Sequence, residues 1–340
     1  MARILAVLFN LFVFPGAGHA AIGRWRRGIP WAVLQLAMAP LALLHPAAMF
    51  LIVAARLGAA IEVGFLRADP TSWLRVALAF GGGVMAIVTY SMTMRTFVVE
   101  AFKIPSGAMI PTLEIGDHIF ASKLAYRTGE PARGDVAVFV NPCMPDRDFV
   151  SRIVGLGGDT IEVRCDVLHV NGAAAAARSL KEDCRYWDRG FEGEPWVEET
   201  CVTYLEKNAD GVEYETIHGP ERRDLDRLRQ ETQKDRPYEG LMGDRDFPQI
   251  SLPRCDGKDA VGHFEEAASP PAHACAPRRH YVVPEGHVFV MGDNRDNSSD
   301  SRAWGPVPLE NLEGKAISIW WSSRPEAQGG AQWERIGPLD

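Results

Sequence analysis

Lysine is absent from the first 100 residues of this 340-residue chain, and acidic residues are scarce there. The segment contains eight arginines against Glu62, Asp69 and Glu100, a net charge of +5, whereas the other 240 residues carry 28 basic and 41 acidic side chains, a net charge of −13. This contrast excludes a single soluble domain, and the length allows about two domains. The overall charge of −8 argues against a nucleic-acid partner, and a hydrophobic content of 46% excludes a disordered chain.

Cysteine is missing from the same front segment. All six cysteines come later, at Cys143, Cys165, Cys184, Cys201, Cys255 and Cys275, and none forms a Cys-x-x-Cys pair. In an oxidising compartment an even number predicts disulfides, although six cysteines allow fifteen pairings that the sequence does not distinguish. A Cys/His metal site using His263, His273 or His280 is the weaker interpretation. We therefore predict no metal site and no cofactor.

Charge is nearly absent from three apolar stretches at residues 29–44, 46–66 and 73–94. A membrane span needs about 20 apolar residues. We predict a membrane anchor over residues 1–95, with about three transmembrane helices and a re-entrant or interfacial segment before them, because Pro15-Gly16 interrupts its apolar run. Two alternatives are a cleaved signal peptide at residues 1–20 and a buried helical hairpin of a soluble protein.

The arginines orient this anchor. Cytoplasmic loops carry an excess of Lys and Arg, which places residues 24–27 and the arginines at 67 and 75 on the inner side. The turn at His45-Pro46 then lies outside. Everything beyond Arg95 is predicted to be extracytoplasmic.

After residue 96, short β-branched and aromatic runs separated by Gly, Pro and Asn replace the helical pattern. These runs lie at residues 97–99, 136–140, 160–163, 167–170, 288–291 and 317–320. Such a pattern predicts a mainly-β core, here residues 96–172 and 281–340. Residues 173–280 read as an inserted polar, Cys-containing secondary lobe, with a hairpin signal at Asp210-Gly211 and a charged, predicted helical stretch at residues 221–236.

Two sequence blocks are the most informative. The first is IPSGAMIPTL at residues 104–113, followed by Gly116-Asp117, and the second is GDNRDNSSDSRAWG at residues 292–305. Between them lie RGDV at 133–136 and RIVGLGGD at 152–159. In this order, behind a membrane anchor, the set resembles type I signal peptidases, also called leader peptidases, over residues 95–170 and 281–322.

The resemblance implies a Ser/Lys endopeptidase of the bacterial-type inner (plasma) membrane, multi-pass, with a periplasmic domain that cuts signal peptides after small residues. Its nucleophile position is Ala108 and its general-base position is Ser151, so both members of the dyad are substituted. Other positions match the family: Ser106 for an oxyanion-hole hydroxyl, Ser298 for orienting the lysine, and Asp300 with Arg302 for a supporting ion pair. Pro105 and Met109 are assigned to peptide binding, with a break in an edge strand and apolar packing as the simpler interpretation.

Loss of the dyad points to a pseudoenzyme. A methyl group cannot attack a carbonyl, and a serine cannot replace a lysine as general base. We therefore expect a non-catalytic relative that keeps a cleft for signal-peptide-like or membrane-protein segments, with the membrane as its other partner. One alternative is an active peptidase with relocated groups, such as Ser106 with Lys103 or Lys123, or an inactivated form of an active parent. Another is a structural subunit of a membrane assembly.

Overall fold

The structure, a computed structural model, describes residues 2–44, 48–66, 73–189, 195–221, 246–248, 251–266, 278–324 and 330–339. Two compact units divide the chain. One unit contains residues 1–100, 317–320 and 334–340, and the other contains residues 101–316 and 321–333.

The first unit is largely helical. Its helices are α1 (Ala2–Leu8), α2 (Ala17–Ala21), α3 (Trp25–Leu44), α4 (Ala48–Phe65) and α5 (Trp73–Thr93), with π-helical turns at Phe9–Val13 and Met94–Val98. Within the described part of the chain, one helix is long and apolar enough to cross a membrane: Trp73–Val98, with 26 residues and a mean hydropathy of 1.6. Its apolar side chains are exposed, Leu74 by 68% and Leu78 by 65%. The described residues of all three apolar stretches thus lie almost entirely in the helices α3, α4 and α5. The third stretch is also long and apolar enough for a membrane span.

The segment before α3 is a broken helix held by one buried side chain, Asn10. The Asn10 amide donates to the carbonyl oxygen of Ala59 on α4 at 2.8 Å. Its Oδ1 accepts from the backbone N–H groups of Gly16 and Gly18 at 3.0 and 2.9 Å. Gly16 has a φ of 98°, a left-handed conformation that glycine adopts without strain. The break at Pro15-Gly16 thus turns the chain back onto Asn10, which itself is bound to α4.

The remaining elements are mainly strands. They are β1 (Val99–Lys103), β2 (Asp117–Ser122), β3 (Val136–Val140), β4 (Asp148–Leu156), β5 (Thr160–Arg164), β6 (Val167–Val170), β7 (Ala173–Ala174), β8 (Ala176–Asp188), β9 (Val197–Lys207), β10 (Glu213–His218), β11 (His263–Glu266), β12 (Arg279–Val282), β13 (His287–Met291), β14 (Val307–Pro308), β15 (Leu312–Ser322) and β16 (Gly337–Pro338), with short helices α6 (Ala125–Thr128) and α7 (Ser301–Trp304). Single 3₁₀ turns lie at Leu309–Asn311 and Trp333–Arg335.

Three sheets organise these strands. The largest has the order β1-β2-β15-β3-β4-β13-β14, with β16 paired to β15, and a five-stranded sheet has the order β11-β12-β5-β6-β7. Burial alternates along β2, whereas consecutive residues are buried in β3, β5, β6 and β13, so both faces of these strands are covered. Phe289 belongs to the core of the second unit, where its ring lies 5.6 Å from that of Tyr281 and 5.2 Å from that of Phe247.

The third sheet, β10-β9-β8, consists of residues from the predicted insertion. Its β9–β10 connection contains the hairpin signal at Asp210-Gly211, where Gly211 has a φ of 85°. The first and last strands of the predicted insertion belong to the five-stranded sheet instead: β7 at its start, and β11 with the first residues of β12 at its end. Beyond residue 221, the predicted helix lies outside the described residues.

Disulfides are confirmed. Cys184 on β8 pairs with Cys201 on β9, and Cys143 pairs with Cys255, closing a sequence separation of 112 residues. Cys165 is also disulfide-bonded. These five cysteines therefore have no thiolate to offer the alternative Cys/His metal site, and Cys275 lies outside the described residues. His273, one of its histidines, lies outside the described residues.

Candidate functional site

The two sequence blocks meet at Ala108. Residues 104–116 form the loop between β1 and β2, and the second block follows β13. The Asn294 backbone N–H donates to the carbonyl oxygen of Ala108 at 3.0 Å, and its side-chain amide donates to the carbonyl oxygen of Gly107, also at 3.0 Å. One asparagine therefore fixes the backbone on both sides of the Gly107–Ala108 peptide, and the nucleophile position of the family motif has a defined location.

The neighbours of Ala108 differ in exposure. Pro105 and Ser106 are exposed, Ala108 is half-buried and Met109 is fully buried. No side chain among the described residues is hydrogen bonded to the Ser106 hydroxyl. The assignments of Ser106 to an oxyanion hole and of Pro105 and Met109 to peptide binding stay predictions.

Ser151 lies in the middle of β4, paired with Ala137 of β3 and 2% exposed. Its hydroxyl donates to the carbonyl oxygen of the preceding residue, Val150, at 2.8 Å. A hydroxyl has no nitrogen lone pair to accept a proton at neutral pH. The base position thus holds a small side chain whose hydrogen is already bound to the backbone.

Gly292 brings Ser298 and Ala108 close together. A Cβ on Gly292 would lie 2.3 Å from the Ser298 Oγ and 2.5 Å from the Ala108 carbonyl oxygen, so only glycine fits between them. The Ser298 Oγ is shielded from solvent and makes no hydrogen bond of good geometry within the described part of the chain. Buried hydroxyls normally have a partner. Ser298 thus lies close to the Ala108 carbonyl oxygen, and its assignment to orienting the lysine stays a prediction.

Asp300 and Arg302 form the expected ion pair. The Arg302 Nε and Nη2 donate to the two Asp300 carboxylate oxygens, both at 2.8 Å, and Asp300 also accepts from the Gly292 N–H at 3.1 Å. Burial by itself raises the pKa of Asp300. Arg302, the Gly292 N–H and the nearby Ser298 hydroxyl stabilise the charged form, and the net pKa lies below its usual value. This pair anchors the loop that carries Ser298.

Arg152, next to Ser151, forms a second buried ion pair that sequence reasoning missed. It donates to the Asp293 carboxylate at 2.8 and 2.6 Å, and to the carbonyl oxygen of Gly134 at 2.7 Å. Its guanidinium lies over the Tyr214 ring, 4.3 Å from the centroid. Burial, reinforced by Glu206, raises the pKa of Tyr214 to about 12. The family block around Asp293 is therefore joined to β4 by a bidentate ion pair.

An acidic residue of β8 also reaches the site. The carboxylate of Asp188 accepts a hydrogen bond from the Asn297 side-chain amide. Its Oδ1 lies against Gly107, where a Cβ would come within 2.7 Å of it. No local sequence pattern marks Asp188, because its position depends on how the β8–β10 sheet packs. The result is a negative charge beside the residue that precedes Ala108.

Comparison with known proteins finds a family, two sequence relatives and one solved structure that are similar to this chain. The family described as "Signal peptidase, peptidase S26" matches residues 75–321. "Signal peptidase I" of Aquifex aeolicus is 34% identical over 70% of this chain and 82% of its own length, and that of Pseudomonas aeruginosa is 30% identical over 76% and 78%. A crystal structure of a signal peptidase I from Enterococcus faecalis V583 aligns with 55% of this chain and 96% of its own, at 22% identity and a TM-score of 0.24. The two sequence relatives are thus similar to this chain over most of their length.

Proposed function

This chain belongs to the signal peptidase family, peptidase S26, and we propose that it is a non-catalytic member that binds signal-peptide-like or membrane-protein segments. The observation that carries the proposal is the combination of a formed site with a missing dyad. Asn294, Gly292, Asp300 and Arg302 hold the loops together, while the nucleophile position is Ala108 and the base position is a hydrogen-bonded Ser151.

The substitutions remove the two chemical groups on which acyl transfer depends. A serine hydroxyl is a weak nucleophile until a positioned base takes its proton, and a lysine does this only when burial leaves it neutral. Loss of one member of such a dyad typically removes several orders of magnitude of rate. Loss of both leaves binding as the function that this site can still perform.

Asp188 adds a second obstacle to catalysis. Peptide cleavage develops negative charge on the carbonyl oxygen, and the protein must stabilise that charge with hydrogen-bond donors. A carboxylate beside Gly107 opposes it instead. The same carboxylate is favourable toward a ground-state peptide, whose N–H groups are donors. Asp188 therefore supports a site adapted to binding.

The edge of the largest sheet supports a binding mode. β1 is the terminal strand in the order of that sheet, and it leads directly into the loop that contains Ala108. An extended peptide that adds to such an edge gains main-chain hydrogen bonds, and pockets for alternate side chains then give specificity. A segment paired with β1 continues along the 104–113 loop.

For the membrane anchor, we propose the three-span topology predicted from the arginines, with the domain after residue 95 on the periplasmic side of a bacterial inner membrane. Exposed apolar side chains on each of the three long helices support it, including Val33 at 58%, Ile61 at 60% and Leu78 at 65%. Apolar surface of this extent is stable in lipid rather than in water. Protease added to spheroplasts should therefore remove the C-terminal domain, whereas protection until lysis would contradict this orientation.

The function is tested with purified full-length protein in mild detergent and a preprotein bearing a small-x-small cleavage site. We expect the preprotein to bind and to remain intact. The alternative of an active enzyme with relocated groups has one specific candidate, since Ser106 is the serine nearest to Ala108 in the motif. Cleavage by this chain that disappears in Ser106→Ala would establish that alternative and overturn the proposal. A preprotein that is neither bound nor cut would also contradict it, and would favour a structural subunit.

A further inference from the structure

We propose that Asp166, His218 and Asp296 bind a divalent metal ion, most favourably Zn²⁺, at a site that joins the β8–β10 sheet to the Ser298 loop. The three residues come from different segments: the turn between β5 and β6, the end of β10, and the second family block. Each offers one ligand atom, and these atoms all lie within 4.8 Å of one another. The site uses none of the cysteines or histidines considered in the sequence analysis.

The state of His218 is the strongest argument. Its side chain is 1% exposed, and its Nδ1 makes no hydrogen bond within the described part of the chain. The Asp166 Oδ2 lies 3.8 Å from Nδ1. That separation is too long for a hydrogen bond. A buried imidazole nitrogen without a hydrogen-bond partner, beside a carboxylate, has the arrangement of a ligand pair around a cation.

The other nitrogen of His218 fixes the ring. Its Nε2 lies 3.6 Å from the Glu206 Oε1 and 3.4 Å from the Thr216 Oγ1. Glu206 is in turn held by Arg295 at 2.7 Å. Metal-binding histidines commonly donate their second N–H to a carboxylate, which sets the tautomer and leaves the other nitrogen for the metal. Here Nε2 is in hydrogen-bond contact with the Thr216 hydroxyl, while the Glu206 carboxylate at 3.6 Å is beyond that distance but favours a proton on Nε2 by its charge. The Nδ1 lone pair is then left on the side of Asp166.

The distances fit a compact metal site after a contraction. Zinc binds imidazole nitrogen and carboxylate oxygen at about 2.0–2.2 Å, so in tetrahedral geometry two of its ligand atoms stand about 3.4 Å apart. The His218 Nδ1 and the Asp166 Oδ2 stand 3.8 Å apart, so this pair must close by about 0.4 Å. Asp296 is exposed, and its Oδ2 accepts from the Gly219 N–H, beside His218 in sequence. Because all the ligand atoms lie within 4.8 Å of one another, the larger adjustment is at most about 1.4 Å, and it falls to the exposed side chain of Asp296.

The donor set determines the class of metal. One imidazole with two carboxylates suits Zn²⁺, whereas Ca²⁺ and Mg²⁺ prefer oxygen alone and Cu⁺ prefers sulfur. Three protein ligands leave a position for water, and the exposure of Asp296 gives solvent access. Because Asp296 precedes Asn297 and Ser298 in sequence, a bound ion would hold the loop that contacts Asp188 and Ala108.

The experiment uses the full-length protein in detergent, treated with chelator and titrated with ZnCl₂. We expect one high-affinity Zn²⁺ per chain, and a rise in apparent Tm of about 5–10 °C when free Zn²⁺ reaches 100 times Kd. His218→Gln and Asp296→Asn should each weaken binding at least tenfold and abolish the rise. The matched control is His263→Gln, which removes an exposed histidine paired with Glu265 and should leave binding unchanged.

Two results would overturn the proposal. One is the absence of stoichiometric Zn²⁺ on the unmodified chain. The other is a site retained in Asp296→Asn and His218→Gln but lost in His263→Gln, which would place the ion at the exposed His263–Glu265 pair. Should His218→Gln fail to unfold cooperatively, Asp296→Asn decides the test, since its side chain is at the surface and its replacement does not disturb the core.

Discussion

The buried ion pair between Arg152 and Asp293 allows a quantitative test of how the site is held together. Asp293→Asn keeps the shape of the side chain but removes its charge, which leaves the guanidinium of Arg152, 2% exposed, without its counter-ion. Breaking a buried pair from one side costs about 3–5 kcal/mol, because the remaining charge stays desolvated. The bonds to Gly134 and the ring of Tyr214 offset part of this loss. We expect a destabilisation of about 3 kcal/mol, near the lower limit of that range.

The measurement is the thermal unfolding of the full-length protein in one detergent at pH 7. About 3 kcal/mol corresponds to a fall in Tm of roughly 6–12 °C for a domain of this size. The matched control is Glu198→Gln, which breaks the exposed pair with Arg185, where the side chains are 42% and 69% exposed. Exposed pairs contribute about 0–1 kcal/mol. A fall for Asp293→Asn no larger than that of the control would refute the conclusion that this buried pair holds the family block around Asp293 to β4.

Three further predictions address the same site. The pKa of Asp300 is lower in the folded protein, so its charge stabilises the fold above about pH 4, and this stabilisation is lost as the pH falls through the folded pKa. The Tm difference between the unmodified chain and Asp300→Asn should therefore narrow below about pH 4. A Tm difference independent of pH would contradict this. Ala101→Pro in β1 should weaken binding of a fluorescent signal peptide, measured by anisotropy, at least tenfold, with little change in Tm. Unchanged binding would show that the peptide does not dock on the edge of β1. In a chain whose dyad has been restored, Asp188→Asn should raise the cleavage rate about 5- to 10-fold, as expected for removing one charge from a partly solvated site; an unchanged rate would show that Asp188 does not act on the developing oxyanion.

Strand positions in the core were predictable from the sequence where the apolar pattern was strongest. Residues 136–140 and 167–170 form β3 and β6 with the predicted bounds. The prediction of a strand from Phe97 was wrong at its start, since Met94–Val98 is a π-helical turn and β1 begins at Val99. Apolar residues in a short run fit either conformation, and here the turn continues helix α5.

Within the site, the family blocks predicted which loops would meet, and the Asp300–Arg302 pair is present. The contacts of Asp188 with Asn297 and of Glu206 with Arg295 could not be predicted, because the acidic partners lie on β8 and β9, more than 85 residues away in sequence. Their position depends on the packing of a sheet whose strands carry charge on their exposed faces. Likewise, His218 has no metal-ligand spacing to any neighbour in the sequence. Such long-range juxtapositions are visible only in the fold.

The central claim is that the cleft of this protein is formed and that loss of the catalytic dyad is the main reason why it does not cleave peptides. The most direct test is cleavage of a small-x-small preprotein by the unmodified chain, by Ala108→Ser and Ser151→Lys singly, and by the double variant. We predict no cleavage by the first three and, for the double variant, a rate at least about 10³-fold above the unmodified chain. Cleavage by the unmodified chain, or failure of a well-folded double variant to bind and cut the preprotein, would contradict the account.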